Sequence, residues 1–398
     1  MTSWNSSIES DTPPHLHIEA VWQSKRAPRF PLTVVTQLSV DRMPALFNQC
    51  HTFTGPIAAI VYLPLVEPVS GDTATDPSVA TPLATQLSLE GKARVSLEVA
   101  RIGHMWQEIE DDDTACQLDL MLIWEAFDSS EAALLYPVNT LRNLARMQVR
   151  TKLMSAIDVD MMISKSLLVE LGKPEVVATF TEHALARRAV VIPAFEPARA
   201  GPAGRDQADR AAAGTKAELA ELNKHKKLVQ FKLKVFPRGH TPTNYTRWFG
   251  TSEDYPVEYK RMFEPWYIGH VDVAPFHDSN FRGYGLNKIA HVASLNYYGY
   301  TFVVYAGAWL VHRPHEDTAV RKMVANQASQ VNKLGVRLGK DALYYKVTQL
   351  FGKIKRGMIK GDLELALDPA MVRCYGKLTW LPRIPKLEGR AVDPDIFV

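Results

Sequence analysis

What most constrains the fold of this chain is a series of apolar runs of strand length separated by segments of helix length. Residues 32–38 read as a first buried strand, and Ser39 or Asp41 is placed to cap a helix running to about Cys50. Residues 56–63 form a second apolar run, 118–124 a third and 189–195 another. Strand, helix and strand joined by short connections predict βαβ units in a parallel sheet flanked by helices. The expected class is therefore α/β.

Between these runs the sequence is more polar. Residues 1–30 carry several prolines and are expected to be a loose lead-in, and 66–90 a long loop. A helix is expected over 92–109, closed by the acidic run 110–113, which reads as a solvated loop rather than a metal site. Residues 197–217 are rich in Ala, Gly, Arg and Asp and read as a flexible insertion, with a helix following over 216–229. The net charge of +3 over 398 residues names no partner, and no nucleic acid is expected. Three cysteines, Cys50, Cys116 and Cys374, allow at most one bridge with one thiol left over. No run reaches the roughly 20 apolar residues that span a bilayer, and the N-terminus lacks the pattern of a signal peptide. Sequons stand at Asn5 and Asn244.

One short run carries chemistry. The apolar stretch entering at Leu153 ends in Asp158-Val159-Asp160. On an extended backbone two such carboxylates share a side and need a cation or donors between them. Carboxylate oxygens suit Mg²⁺ or Mn²⁺, ions that keep positions open for water and phosphate. The preceding segment, from Tyr136-Pro137, predicts a helix with Pro137 in its first turn. Asn139, Arg142, Asn143 and Arg146 fall on one polar face, and Val138, Leu141 and Ala145 on an apolar one. That polar face is expected either to be solvated or to border a nucleotide at the carboxyl edge of the sheet. Residues 239–249 mix aromatic and hydrogen-bonding groups, a composition that suits a sugar and equally suits a packed loop.

Collinear blocks make the resemblance specific. Val35-Thr36-Gln37-Leu38-Ser39-Val40-Asp41-Arg42, the Tyr136–Arg146 segment and Asp158-Val159-Asp160 come first, followed by Pro193-Ala194-Phe195-Glu196 and Gly239-His240-Thr241-Pro242-Thr243-Asn244. Phe263-Glu264-Pro265, Phe281-Arg282-Gly283-Tyr284-Gly285-Leu286-Asn287-Lys288 and Trp309-Leu310-Val311-His312-Arg313-Pro314-His315 complete the set. Over roughly residues 33–320 the chain resembles the LARGE-type glycosyltransferases, glycosyltransferase family 49. The resemblance implies a GT-A fold, Mn²⁺ (or Mg²⁺), and inverting transfer from a UDP-sugar, typically UDP-glucuronic acid, to a glycan acceptor. It implies Asp158, Asp160 and His312 as metal ligands, with His315 left out. It also implies donor contacts from Gln37, Asn139, Arg142, Asn143, Asp158, Gly283, Gly285, Asn287 and Lys288. The Gly283–Gly285 pair would let backbone approach the sugar closely, and Lys288, or a nearby Arg282 or Arg142, would meet a donor carboxylate.

Inversion needs a general base within reach of the acceptor hydroxyl. The start of the helix after the glycine pair reads Asn287-Lys288, and amides do not act as bases. Glu264, Asp272 and Asp278 stay open as candidates. Three parts are expected: the lead-in over 1–30, the catalytic domain over 31–320, and a largely helical extension over 321–398. Residues 321–360 hold ten Lys and Arg against the single acid Asp341, a composition for a solvated face, a polyanion or an anionic membrane surface. The resembled enzymes are Golgi type II membrane proteins, which implies the Golgi lumen, although no signal anchor and no second catalytic domain is visible in this sequence. A catalytically inactive glycan- or polyanion-binding module that kept the fold is the alternative.

Overall fold

A computed structural model of the chain describes residues 15–67, 87–340, 342–377 and 384–397. The sequon at Asn5, Asp341, most of the expected 66–90 loop and the first half of the lead-in lie outside the described residues.

In chain order the strands are β1 (His17–Trp22), β2 (Leu32–Ser39), β3 (Pro56–Val66), β4 (Gln117–Phe127), β5 (Leu153–Ala156), β6 (Met161–Ile163) and β7 (Arg188–Ile192). They continue with β8 (Ala194–Pro197), β9 (Leu228–Gln230), β10 (Tyr255–Val257), β11 (Trp266–His270), β12 (Thr301–Val304) and β13 (Leu310–His312). A nine-stranded sheet has the order β1-β4-β3-β2-β5-β11-β7-β12-β10, and a four-stranded sheet the order β6-β13-β8-β9. β4, β3, β2 and β5 run parallel, as the βαβ reading requires. Buried on both faces, β3 shows no alternation of polar and apolar residues: nine of its residues are buried in sequence apart from Pro64 and Val66. The class is the expected α/β.

Three expectations change. Part of the lead-in is a strand, because His17–Trp22 pairs antiparallel with β4 and closes that edge of the sheet. The supposed insertion contains a helix, Gly201–Ala213, whose Ala208, Ala211 and Ala212 are buried. Alanine is the strongest helix former, and its small side chain lets the helix lie close against the four-stranded sheet. The apolar run at 189–195 is not one strand. Pro193 has no N–H for the ladder, and the chain divides there, β7 joining the large sheet and β8 the small one.

The core is continuous with the segment after residue 320. Helix Leu343–Lys360 buries Leu343, Val347, Phe351, Ile354 and Met358, and Phe351, Ile354 and Met358 pack with Ile289, Val292 and Phe302. Helix Pro369–Lys377 places Met371 and Tyr375 against Val35, Tyr62 and Leu141. Cys50 and Cys116, both buried, form a disulfide, and Cys374 is the free, exposed thiol. The acidic run is tied down locally: Glu110 pairs with Arg26 at 3.4 Å, and Asp112 caps the turn through the Thr114 N–H at 2.8 Å.

Candidate functional site

The Asp158–Asp160 segment leaves the carboxyl end of β5 not as strand but as a turn, closed by the Met161 N–H donating to the Asp158 carbonyl at 2.9 Å. The segment is therefore not the extended strand on which alternate carboxylates would share a side. The buried Gln49 amide holds the turn by donating to the carbonyls of Asp158 and Met161, each at 3.2 Å. The two aspartates acquire different partners. Asp158 accepts from Arg142 at 3.2 Å and from the Lys288 ammonium. Asp160 faces histidines: Nε2 of His315 lies 2.6 Å from its carboxylate and Nε2 of His312 3.7 Å, with Arg42 at 3.5 Å.

Strand pairing brings these groups together across about 150 residues of sequence. β13 runs antiparallel to β6 with His312 opposite Met161, and the Arg313 N–H donates to the Asp160 carbonyl at 2.8 Å. The irregular segment after β13 then brings His315 onto the same carboxylate. Ligand atoms of Asp160, His312 and His315 all lie within 4.8 Å of one another. One carboxylate and two imidazoles in that space form a set able to hold a divalent ion, so the donor chemistry fits the metal that the resemblance implies. Burial pushes the Asp160 carboxyl up, but the hydrogen bond from His315 and the nearby His312 imidazole outweigh it and hold the group well below the usual carboxylate range.

The orientation of β11 separates the three base candidates. β11 runs antiparallel to β5, with His270 opposite Leu153. Its start therefore lies at the carboxyl edge beside Asp158, and its end at the opposite edge. Glu264, just before β11, is 3.9 Å from Lys288, and burial raises its carboxyl against the opposing charge of Lys288. Asp272, just after β11, pairs instead with Lys152 at 3.3 Å. Lys152 is six residues before Asp158, roughly 20 Å along an extended chain. Asp278 is buried with its carboxylate accepting from the N–H groups of Asn280 and Ala366 at 2.9 and 3.3 Å, on the side of the C-terminal segment.

Several expected donor contacts have other partners. Every residue of helix Val138–Arg146 is buried, polar face included, so that face is not solvated. The Asn139 amide donates to the Asp278 carbonyl at 2.8 Å, and Asn143 donates to the His277 carbonyl and accepts from the His277 N–H, at 2.8 and 2.9 Å. Arg146 donates to the carbonyls of Pro275 and Val271 and stacks on Phe276. Of the four, only Arg142 reaches the aspartates, bracing Asn287 at 2.8 Å on the way. Arg282 is buried in an ion pair with Glu125 at 2.7 Å and does not face this site. At Gly283, with φ +74°, a Cβ would lie 2.6 Å from Leu343, so the glycine admits a helix of this chain. Gly285 has φ +113° and its Cβ position faces Val347. Gln37 is half-buried on β2.

Residues that sequence reasoning passed over complete the surroundings. His240 stacks on Trp266 with ring planes 7° apart, and Lys288 lies 4.3 Å above the same indole. Burial, helped by Lys288 and Lys232, lowers His240 to about 3. His315 stood in a matched block; its spacing of three from His312 across a proline was the available signal. Lys232 and Trp266 carried none. The other aromatics of 239–249 pack inward: Tyr245, Trp248 and Phe249 surround Phe195.

The acid–histidine cluster lies outside the carboxyl ends of the parallel strands, where open α/β sheets bind their ligands. The chain belongs to the family described as "Glycosyl-transferase for dystroglycan", whose model matches residues 31–337. Among curated relatives, xylosyl- and glucuronyltransferase LARGE1 of Gallus gallus is 34% identical over 180 residues, covering 45% of this chain and 22% of that protein. LARGE1 of Homo sapiens is 28% identical over 285 residues, covering 71% of this chain and 31% of that protein. The chain thus spans less than a third of the length of these relatives. A solved structure, S. aureus TarS 1–349, is 12% identical and aligns over 86% of this chain and 68% of that one with a TM-score of 0.37, a likeness too loose to bear on the site.

Proposed function

We propose that this chain transfers a sugar, with inversion, from a UDP-sugar to a glycan acceptor, using a divalent metal, Mn²⁺ or Mg²⁺, at Asp160, His312 and His315. The observation that carries the reading is the convergence of these three side chains beside Asp158, Lys288 and Glu264 at one edge of the sheet. A divalent ion held there supplies neutralisation of the charge that develops on a departing diphosphate. Arg142 and Lys288 orient Asp158 toward the nucleotide. Glu264 takes the proton of the acceptor hydroxyl as that oxygen bonds to the anomeric carbon and the bond to the diphosphate breaks, releasing UDP. The burial that raises the Glu264 carboxyl makes it a better proton acceptor once ionised.

Glucuronic acid is the proposed sugar. The named relatives are xylosyl- and glucuronyltransferases, and with Arg282 buried against Glu125, Lys288 and Arg142 beside Asp158 are the candidates that remain to meet a donor carboxylate. A Golgi-lumen setting is supported by the Cys50–Cys116 disulfide, which suits an oxidising compartment.

The test is a panel of UDP-sugars with Mn²⁺ and glycan acceptors, released UDP being measured. Mn²⁺ binding by electron paramagnetic resonance is read in parallel on Asp160→Asn. Release of UDP from none of the donors would overturn the transferase reading. Unchanged Mn²⁺ affinity in Asp160→Asn would overturn the metal placement alone.

A further inference from the structure

Beyond the segment matched by the family, the helix Leu343–Lys360 turns one side to the core and another to a cleft. Its apolar residues Val347, Phe351, Ile354 and Met358 face inward. Lys353, Arg356 and Lys360 recur at spacings of three and four, which aligns them on a single face. All three are exposed, and among the described residues none makes an ion pair. They line a cleft of about 490 Å³, closed on its other side by the 362–366 segment and by Asp278 and Asn280. That volume lies within the range of about 300–1,000 Å³ typical of small-ligand sites.

We propose that this cleft binds an acidic oligosaccharide through Lys353, Arg356 and Lys360, as a second glycan subsite outside the donor site. The chemistry of the walls selects the ligand. Three cations suit carboxylates spaced along a chain. Asp362 and Glu364 on the facing wall accept hydrogen bonds from hydroxyl groups, and Leu350, Ile354, Leu363 and Leu365 offer apolar patches to the C–H faces of sugar rings. A bilayer fits these walls poorly. Its broad surface cannot enter a concave cleft of this size. Position supports the assignment as well. The segment whose Asp278 and Asn280 line the cleft continues through Gly283, against Leu343, to Asn287 and Lys288 in the candidate site. A bound acidic glycan would therefore lie along the segment that leads to the donor. The subsite rests on the proposed glycan acceptor but is tested without donor, metal or turnover.

The experiment titrates the whole chain by calorimetry with a hexasaccharide of alternating glucuronic acid and N-acetylglucosamine. The neutral N-acetylglucosamine hexamer and anionic phosphatidylglycerol vesicles are run beside it. The acidic hexasaccharide should bind at least about tenfold more tightly than the neutral one, and more weakly as salt rises. Lys353→Glu/Arg356→Glu should lose that binding, Lys353→Arg/Arg356→Lys should keep it, and UDP binding should be equal in all three proteins. Equal binding of the acidic and neutral sugars, or undiminished binding in the charge-reversed variant, overturns the subsite. Vesicle binding that the reversal abolishes while oligosaccharide binding persists assigns the face to membrane and overturns it too. Loss of UDP release in the donor panel with this binding intact would instead remove the transferase reading and leave the subsite standing.

Discussion

Replacing Gly283 by alanine separates two accounts of the glycine pair. If Gly283 exists to let a sugar approach, a Cβ costs donor affinity and little stability. The structure points the other way, since φ is +74° and the added Cβ would lie 2.6 Å from Cδ2 of Leu343, a side chain with only 2% of its surface exposed. Holding a non-glycine residue in the left-handed region costs about 1–2 kcal/mol. Forcing a methyl group against a packed leucine costs about 1–3 kcal/mol more. Gly283→Ala should therefore destabilise the chain by about 2–5 kcal/mol, read by urea unfolding followed through tryptophan fluorescence. Leu343→Ala alone should cost about 2–5 kcal/mol as a cavity. Its removal of the obstacle should make the double variant less destabilised than the sum by about 1–3 kcal/mol. UDP affinity at the folded baseline should change in neither single variant. A Gly283→Ala protein within about 0.5 kcal/mol of wild type, or single-variant costs that simply add, would refute the packing account. Lost UDP affinity with intact stability would restore the sugar-approach account.

Glu264→Gln should lower turnover by about 10²–10⁴-fold, the usual worth of a general base, while Asp272→Asn leaves it unchanged; the reverse result would sink the assignment made from strand direction. His315→Ala and His312→Ala should each weaken Mn²⁺ binding at least about tenfold, and a wild-type affinity of His315→Ala measured by paramagnetic resonance would remove His315 from the ligand set. His240 has a folded pKa near 3 against 6.5 for a free imidazole. Because it is depressed, the neutral form stabilises the fold above about pH 6.5, and that stability is lost as pH falls from there toward 3. The unfolding free energy of the wild type should thus fall with acidification more steeply than that of His240→Asn, by up to about 1.4 kcal/mol per pH unit; parallel pH profiles would show that His240 is not held neutral by burial.

The sequence by itself determined the α/β class, the parallel strands at 32–38, 56–63 and 118–124, the helix at Tyr136–Arg146 and the family, because hydrophobic period and local motifs depend on neighbours a few residues apart. It also marked Asp158, Asp160 and His312, which lie in contiguous motifs. What only the tertiary structure decided were choices of partner. The antiparallel course of β11 moved Glu264 to the site and Asp272 to the far edge, and no pattern within 264–272 encodes strand direction. Burial of the whole helix Val138–Arg146 sent the amides of Asn139 and Asn143 to main-chain groups about 140 residues away. The pairing of β6 with β13 added His315 to Asp160, and Leu343 took the space that Gly283 leaves. A side chain's chemistry is written locally, but which group satisfies it depends on long-range packing, where an unpaired buried polar atom or a void costs more than any local preference.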